Sequence, residues 1–214
     1  MMSCNLFQRD KVVNGLEAYL LGFIYADGTI LYDSLNKTRY TTMKIDLALK
    51  DKDFLLELNQ FLNGNIYYYS KMLNNKEYPQ IRLAVYDVNF VKRIMDMGVI
   101  PNKTYSDSDY IFQNIPDCFK WHFIRGYFDG NGCITINKKG QASVEICSHN
   151  KVFLDAIHNY IAQFTSTRSN VTKGDGVWRI RYGGNKQVGK IAFYLYDNYN
   201  IKLGRKWEII NQIL

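Results

Sequence analysis

Two polar steps in this chain sit where chemistry could be done. Asp27-Gly28 and Asn131-Gly132 each close a stretch of helical spacing. Two acidic groups brought together at such points would hold a divalent cation between them and could activate water against two phosphates. Only one of the two is acidic. An amide oxygen can ligate a cation, but it carries no charge and cannot serve as a carboxylate base. Asp129 is no obvious substitute, because two residues along a helix turn a side chain by roughly 200°. As single dipeptides, D-G and N-G read as turns that end helices. Their equivalence within the chain is what lifts them above that reading.

The equivalence is an internal repeat. AYLLGFIYADGTI (18–30) aligns with HFIRGYFDGNGCI (122–134), and Gly22 and Gly28 have counterparts 104 positions on in Gly126 and Gly132. DLALKDKDFLLEL (46–58) lies over EICSHNKVFLDAI (145–157) at an offset of 99, and GVIPNKT (98–104) answers NIKLGRKW (200–207), which relates Lys103 to Lys206. Three matched blocks in one order describe a duplicated fold.

The elements that must position the two polar steps follow from periodicity. The first helix covers roughly 15–26, with Gly28 expected in the left-handed conformation common past a helix end. Small residues four apart, Gly22 with Ala26 and Gly126 with Gly130, lie on one face of each helix and allow a second backbone to come close. The two helices are therefore predicted to cross, with Asp27 and Asn131 meeting beside a pseudo-dyad. RYTTMKIDLAL alternates, with Met43, Ile45 and Leu47 on one face and Thr42, Lys44 and Asp46 on the other. YPQIRLAVY sets Ile81, Leu83 and Val85 against Gln80, Arg82 and Ala84, and VWRIRYG sets Arg179 and Arg181 against Trp178, Ile180 and Tyr182. Asn137 and Lys139 are expected to project together from CITINKK. Each half thus reads as helix, two strands, helix, two strands, helix, an α+β chain with basic sheet faces. The halves are 1–97 and 117–214, joined by a connector over 98–116 that holds Pro101, Pro116 and the polar run TYSDSD. Neither half completes its own core, so the two are expected to pack as one pseudo-symmetric body.

Composition narrows the function classes. The chain has 214 residues, 47% hydrophobic and 22% charged with 3 Pro, which excludes a disordered segment. Lys and Arg number 27 against 20 Asp and Glu, a formal charge of +7, and 17 Tyr interleave the basic residues with rings. Nucleic acid is the first partner to consider, although a charge of this size also serves solubility. Cys4, Cys118, Cys133 and Cys147 form no C-x-x-C pair, which argues against a disulfide scaffold or zinc ribbon and for a reducing compartment. No apolar run approaches a membrane span and the first residues lack an apolar signal core, so the expectation is a soluble protein of the cytoplasm, an organelle or a host-cell interior, not a secreted one. His122, His149 and His158 have no metal-triad spacing, and no G-K-[ST] follows Gly183-Gly184, which reads as a strand-to-helix turn.

LLGFIYADG (20–28) and IRGYFDGNG (124–132) resemble the two motifs of the LAGLIDADG homing endonucleases, and the repeat spacing, GVIPNKT and IKLGRKWEII resemble the monomeric, two-motif members, over roughly residues 15–212. The resemblance implies two αββαββα halves whose antiparallel sheets form a saddle over the DNA major groove, with the motif helices at the centre. It implies a monomer acting on double-stranded DNA at a long, non-palindromic site, as in intron homing, by phosphodiester hydrolysis with Mg²⁺. The last acidic position of each motif would bind the metal, and a lysine late in each half would assist there. Those positions are Asp27, Asn131, Lys103 and Lys206. The sheet residues Lys44, Arg82, Asn137, Lys139, Arg179 and Arg181 are the candidate DNA contacts.

Asn131 departs from the motif. An exchange made to trap uncut DNA, a natural nickase and a lineage that keeps only binding would each leave this pattern. Because the rest of the pattern is intact, a weakened or inactivated enzyme is the leading reading. A catalytically inactive nucleic-acid-binding protein, either an RNA-splicing maturase or a transcription factor, is the alternative. The basic faces argue against a purely structural module.

Overall fold

The computed structural model describes residues 6–7, 11–32, 40–101, 107–197 and 201–214. The chain runs α1 (Gly15–Asp27), β1 (Gly28–Tyr32), β2 (Tyr40–Ala48), α2 (Lys52–Leu62), β3 (Asn65–Leu73), β4 (Lys76–Val85) and α3 (Val88–Asp96), then a short α4 (Tyr110–Gln113). It repeats with α5 (Lys120–Asn131), β5 (Gly132–Ile136), β6 (Ala142–Ser148), α6 (Lys151–Phe164), β7 (Thr172–Gly174), β8 (Val177–Gly183) and α7 (Asn185–Tyr196), and ends in α8 (Gly204–Ile210). The strands form two four-stranded antiparallel sheets of identical order, β1-β2-β4-β3 and β5-β6-β8-β7. The αββαββα repeat expected from periodicity is present twice, as a mixed α+β fold.

Alternation sets the faces. On β2, Met43 and Ile45 are buried while Thr42, Lys44 and Asp46 are partly open, and on β4 Ile81, Leu83 and Val85 are buried. Ala84, expected on the open face, is buried as well. On β8, Ile180 and Tyr182 are fully buried and Arg181 is exposed. Helices α2 and α3 pack on the first sheet and α6 and α7 on the second, so in each half one sheet face is left to solvent.

The two halves meet through α1 and α5. α1 is buried on every side from Glu17 to Ala26, which suits a helix at the centre of a molecule rather than on its surface. Its start is fixed by Asn14, whose side chain accepts from the Glu17 amide at 2.8 Å. The Glu17 carboxylate in turn accepts from the amides of Phe7 and Val13, both at 2.9 Å, so its burial is compensated. The small residues do what their spacing predicts. A Cβ on Gly22 would lie 2.1 Å from the Phe123 carbonyl oxygen, one on Gly126 would lie 2.0 Å from that of Tyr19, and one on Gly130 would meet the Ala26 Cβ at 2.3 Å. Tyr25 of α1 packs its ring 4.8 Å from that of Phe153 on α6, so the first motif helix helps complete the core of the second half.

Two local expectations are corrected. Gly28 and Gly132 are not left-handed; both are extended, at φ −72° and −99°, because the chain turns directly from helix into strand there. Glycine is required for another reason. A Cβ on Gly28 would lie 2.5 Å from the Ile24 carbonyl oxygen, and one on Gly132 would lie 2.0 Å from the Phe128 ring. Asn137 and Lys139 do not project together from a strand, since β5 ends at Ile136. The Asn137 Oδ1 accepts from the amides of Lys139 (2.9 Å) and Gln141 (3.0 Å), and its Nδ2 donates to Gln141 Oε1 (3.0 Å), so this side chain builds the β5–β6 turn. The connector is partly structured, and α4 places Ile111 and Phe112 in the core.

Candidate functional site

Asp27 and Asn131 end helices that pack backbone against backbone, and this brings them together. A Cβ on Gly130, the neighbour of Asn131, would lie 3.3 Å from both the Cγ and the Oδ2 of Asp27, so the carboxylate lies over the last turn of the opposite helix. Asn131 is turned toward its own half. Its Nδ2 donates to the Tyr127 hydroxyl at 3.2 Å, that hydroxyl donates to the Cys147 carbonyl at 2.9 Å, and the Cys147 thiol donates to the Asn131 carbonyl at 3.2 Å. Burial pushes the Tyr127 phenol far above its ordinary range, so it stays a neutral hydroxyl. A cleft of about 250 Å³ opens beside this chain of bonds, lined by Tyr25, Ala26, Tyr127, Asn131 and the segment from Cys147 to Asn150 that leads from β6 into α6.

Asp129 faces away from the site, as its helical rotation requires. It is 1% exposed and accepts from the hydroxyls of Tyr19 (2.8 Å) and Tyr196 and from the Leu203 amide (3.2 Å). Burial raises its carboxyl, and the donors from Tyr196 and Tyr19 together with the Lys206 charge oppose that rise. It is a structural acid in the core.

Taken singly, Lys206 reads as a solvated surface lysine, and the structure overturns that reading: it is 2% exposed. Its Nζ donates to the carbonyl oxygens of Phe128 (2.5 Å), which also accepts the Gly132 amide, and of Asp129 (2.8 Å), so it caps the C-terminal end of α5, where the helix dipole is negative. Burial lowers its pKa to about 8, against the attraction of Asp129 and, more weakly, of Asp27. Lys103 lies outside the described residues.

The solvent faces of the two sheets flank these helix ends. On the first, Lys44 and Arg82 line a shallow depression of about 440 Å³ with Tyr32 and Tyr86; on the second, Arg181 lines one of about 230 Å³ with Thr135, Asn137 and Ser143. Lys44, Arg82 and Arg179 carry partners that periodicity does not reveal. Arg82 and Lys44 both reach Asp46, at 2.6 and 3.6 Å, and Arg179 reaches the Gly174 carbonyl (3.0 Å) and Asp175 (3.2 Å). Lys139 is exposed at the β5–β6 turn.

Comparison with known proteins bears directly on this arrangement. Residues 119–195, which hold α5 and the second sheet, match the family model of the LAGLIDADG-like domain. The chain carries a LAGLIDADG-like domain. Over nearly its whole length it also has the two-domain LAGLIDADG fold. The homing endonuclease I-WcaI bound to its DNA recognition sequence is similar with a TM-score of 0.68 at 15% identity, over 97% of this chain and 89% of that one. The LAGLIDADG meganuclease I-AabMI bound to uncleaved DNA is similar with a TM-score of 0.59 at 15% identity, over 94% and 89%. Full-length DUF199/WhiA from Thermatoga maritima gives 0.55 at 20% identity, over 95% of this chain and 62% of that one. The LAGLIDADG fold is thus shared with proteins named as endonucleases and with one that is not so named. No curated protein matches the chain in sequence.

The LAGLIDADG resemblance implies Mg²⁺, and the donor set fits it on one side only. Mg²⁺ is commonly held by one or two carboxylates, its remaining positions going to water and substrate phosphates. Asp27 would supply one such carboxylate at a half-open helix end. On the other side Asn131 has no charge to offer: its Nδ2 is spent on the Tyr127 hydroxyl, and what it could turn to a cation is a neutral amide oxygen. Among the described residues no three His, Cys, Asp or Glu side chains come together as a protein-only metal cage. Among them, too, no helix is long and apolar enough to cross a membrane.

Proposed function

We propose that this chain binds duplex DNA across its two sheet faces as a monomer, recognises a long non-palindromic site, and carries a metal-dependent nuclease centre with one working side, so that it cuts one strand and not two. In this reading the binding halves are 1–97 and 117–214, with 98–116 as connector. The observation that carries it is the pair of helix ends: Asp27 presents a carboxylate over Gly130, while its counterpart Asn131 is neutral and bonded to Tyr127. The fold shared with DNA-bound endonucleases and the basic sheet faces support the same conclusion.

A divalent cation held there with the DNA phosphates would stabilise charge on the scissile phosphate and lower the pKa of a bound water. The residues of the chain have distinct parts. Asp27 would hold the cation at the end of α1, over the last turn of α5. Lys206 acts at a distance, fixing the α5 terminus on which Asn131 stands and adding positive charge behind it. Asn131 neither attracts a cation by charge nor takes a proton from water. Lys44, Arg82, Arg179, Arg181 and Lys139 serve the duplex, while Asn137 shapes the turn that carries Lys139.

The alternative is a protein that keeps binding and has lost cutting, and WhiA, with the same fold and a different kind of name, is the observation that favours it. A plasmid carrying a selected site separates the two. With Mg²⁺ the chain should convert supercoiled plasmid to nicked circles, and Asn131→Asp should yield linear product. Linear product from the chain itself would refute the one-sided centre; specific binding with no nick in either protein would establish the binding-only reading.

A further inference from the structure

The solvent faces of the two sheets carry the same cross-strand pair, closed in one half and open in the other. Asp46 stands opposite Arg82 across β2 and β4, and Glu145 stands opposite Arg181 across β6 and β8, each residue 99 positions from its counterpart. In the first half, Arg82 Nε donates to Asp46 Oδ1 at 2.6 Å and Nη2 to Oδ2 at 3.3 Å. The Tyr69 hydroxyl donates to the same Oδ1 at 2.9 Å, and the guanidinium lies 4.8 Å from the centroid of the Tyr69 ring. In the second half, no ion pair joins Glu145 to Arg181 among the described residues, and Arg181 instead donates to the Ser143 hydroxyl at 3.3 Å.

Building on the DNA-binding reading, we infer that Asp46 and Tyr69 are positioning residues that hold Arg82 as a guanine reader, so that the first half specifies guanine at one position of its half-site. A guanidinium has five N–H donors. Asp46 takes the Nε hydrogen and one of the Nη2 pair. The outer end, Nη1 with the second Nη2 hydrogen, keeps the two parallel donors that match guanine O6 and N7 in the major groove. A long side chain anchored at one edge and stacked on a ring loses less freedom on binding than an unanchored one, and this sharpens discrimination. The anchor is permanent at working pH. Burial would raise the Asp46 carboxyl, but the hydrogen bonds from Arg82 and Tyr69 and the charges of Arg82 and Lys44 outweigh it and leave the group below its ordinary value. Lys44, 3.6 Å from Asp46, offsets the acid's repulsion of DNA phosphates. Arg181, steadied by a neutral hydroxyl, should discriminate less.

The test is selection of duplexes from a random pool by the whole chain, followed by competition with single base-pair exchanges. One position should prefer guanine. Both Arg82→Ala and Arg82→Lys should lower that preference by about tenfold or more. Arg82→Lys, which keeps the charge, should retain affinity for unrelated duplex. Asp46→Asn and Tyr69→Phe should weaken the preference at the same position by a smaller factor, with melting temperature and unrelated-duplex affinity held or, for Asp46→Asn, affinity raised. A merely structural pair would lower stability without touching a single base preference. The inference is overturned if Arg82→Ala weakens all sequences evenly, which would make Arg82 a phosphate contact, or if Asp46→Asn leaves the preference intact while Arg82→Ala removes it. Should the unaltered chain select no duplex at all, the DNA-binding reading itself falls, and this inference with it.

Discussion

Gly126→Ala is the smallest change that tests the centre of the molecule. The added Cβ would lie 2.0 Å from the Tyr19 carbonyl oxygen and 2.9 Å from the Phe23 amide nitrogen, whereas ordinary contact begins near 3.4 Å. Both partners are backbone, so neither can rotate aside, and the helices must part by about an ångström along a crossing that also includes Gly22, Ala26 and Gly130. Overpacking of this kind costs about 1–3 kcal/mol, and its backbone character places Gly126 at the upper end. Alanine returns about 1 kcal/mol of helix propensity, which leaves a net loss of about 2 kcal/mol. For a chain of this size each kcal/mol moves the melting temperature by about 2–4 °C, so the expected fall is about 4–8 °C. The control is Gly189→Ala, also within a helix, where the nearest atom a Cβ would meet is 4.0 Å away. It should gain up to about 1 kcal/mol. Because the propensity effect cancels between the two variants, their difference of about 3 kcal/mol measures the crossing alone, in matched thermal melts by circular dichroism. Equal melting temperatures would refute the close helix contact and, with it, the juxtaposition of Asp27 and Asn131.

Binding to a selected duplex should fall with salt at a slope of about −0.9 in log K per phosphate neutralised, so four contacts predict a slope near −4; a slope near zero would remove the sheet faces from the DNA interface. Asp27→Asn should abolish Mg²⁺-dependent nicking while binding persists or tightens, as repulsion between carboxylate and phosphate is removed; nicking that survives would place the metal elsewhere. Lys206 titrates near 8 in the folded chain against 10.5 as an ordinary lysine. Between those values the unfolded chain binds more protons, so the stability of the unaltered chain relative to Lys206→Met should rise from pH 8 to 10.5. Denaturant titrations across that window check it, and a flat or falling difference would mean the lysine is not buried.

Much of the architecture is written in short-range pattern. Period-two alternation at Met43-Ile45 and Ile180-Tyr182 identifies the buried sheet faces, because a strand's side chains must point to opposite sides whatever lies around it. Small residues four apart announce a close helix crossing for the same local reason, and equal offsets between Asp27 and Asn131 place both at helix ends. The exchange on which the one-sided reading rests was legible too, since an amide in place of a carboxylate at residue 131 is a fact of composition.

What only the tertiary structure decided depends on register and on contacts between distant segments. The conformation of Gly28 and Gly132 follows from a strand starting directly at the helix end, not from a left-handed cap. Asn137 is spent in a turn because β5 stops one residue before it. Lys206 is buried because the segment leading into α8 folds back onto the end of α5, where the Phe128 and Asp129 carbonyls, 78 and 77 positions away, accept its ammonium hydrogens. Asp46 meets Arg82 across 36 positions through the pairing of β2 with β4; periodicity places both on the open face, but only the register sets them opposite each other. Local sequence determines which way a side chain points, while the long-range pairing of strands and helix ends determines what it meets there.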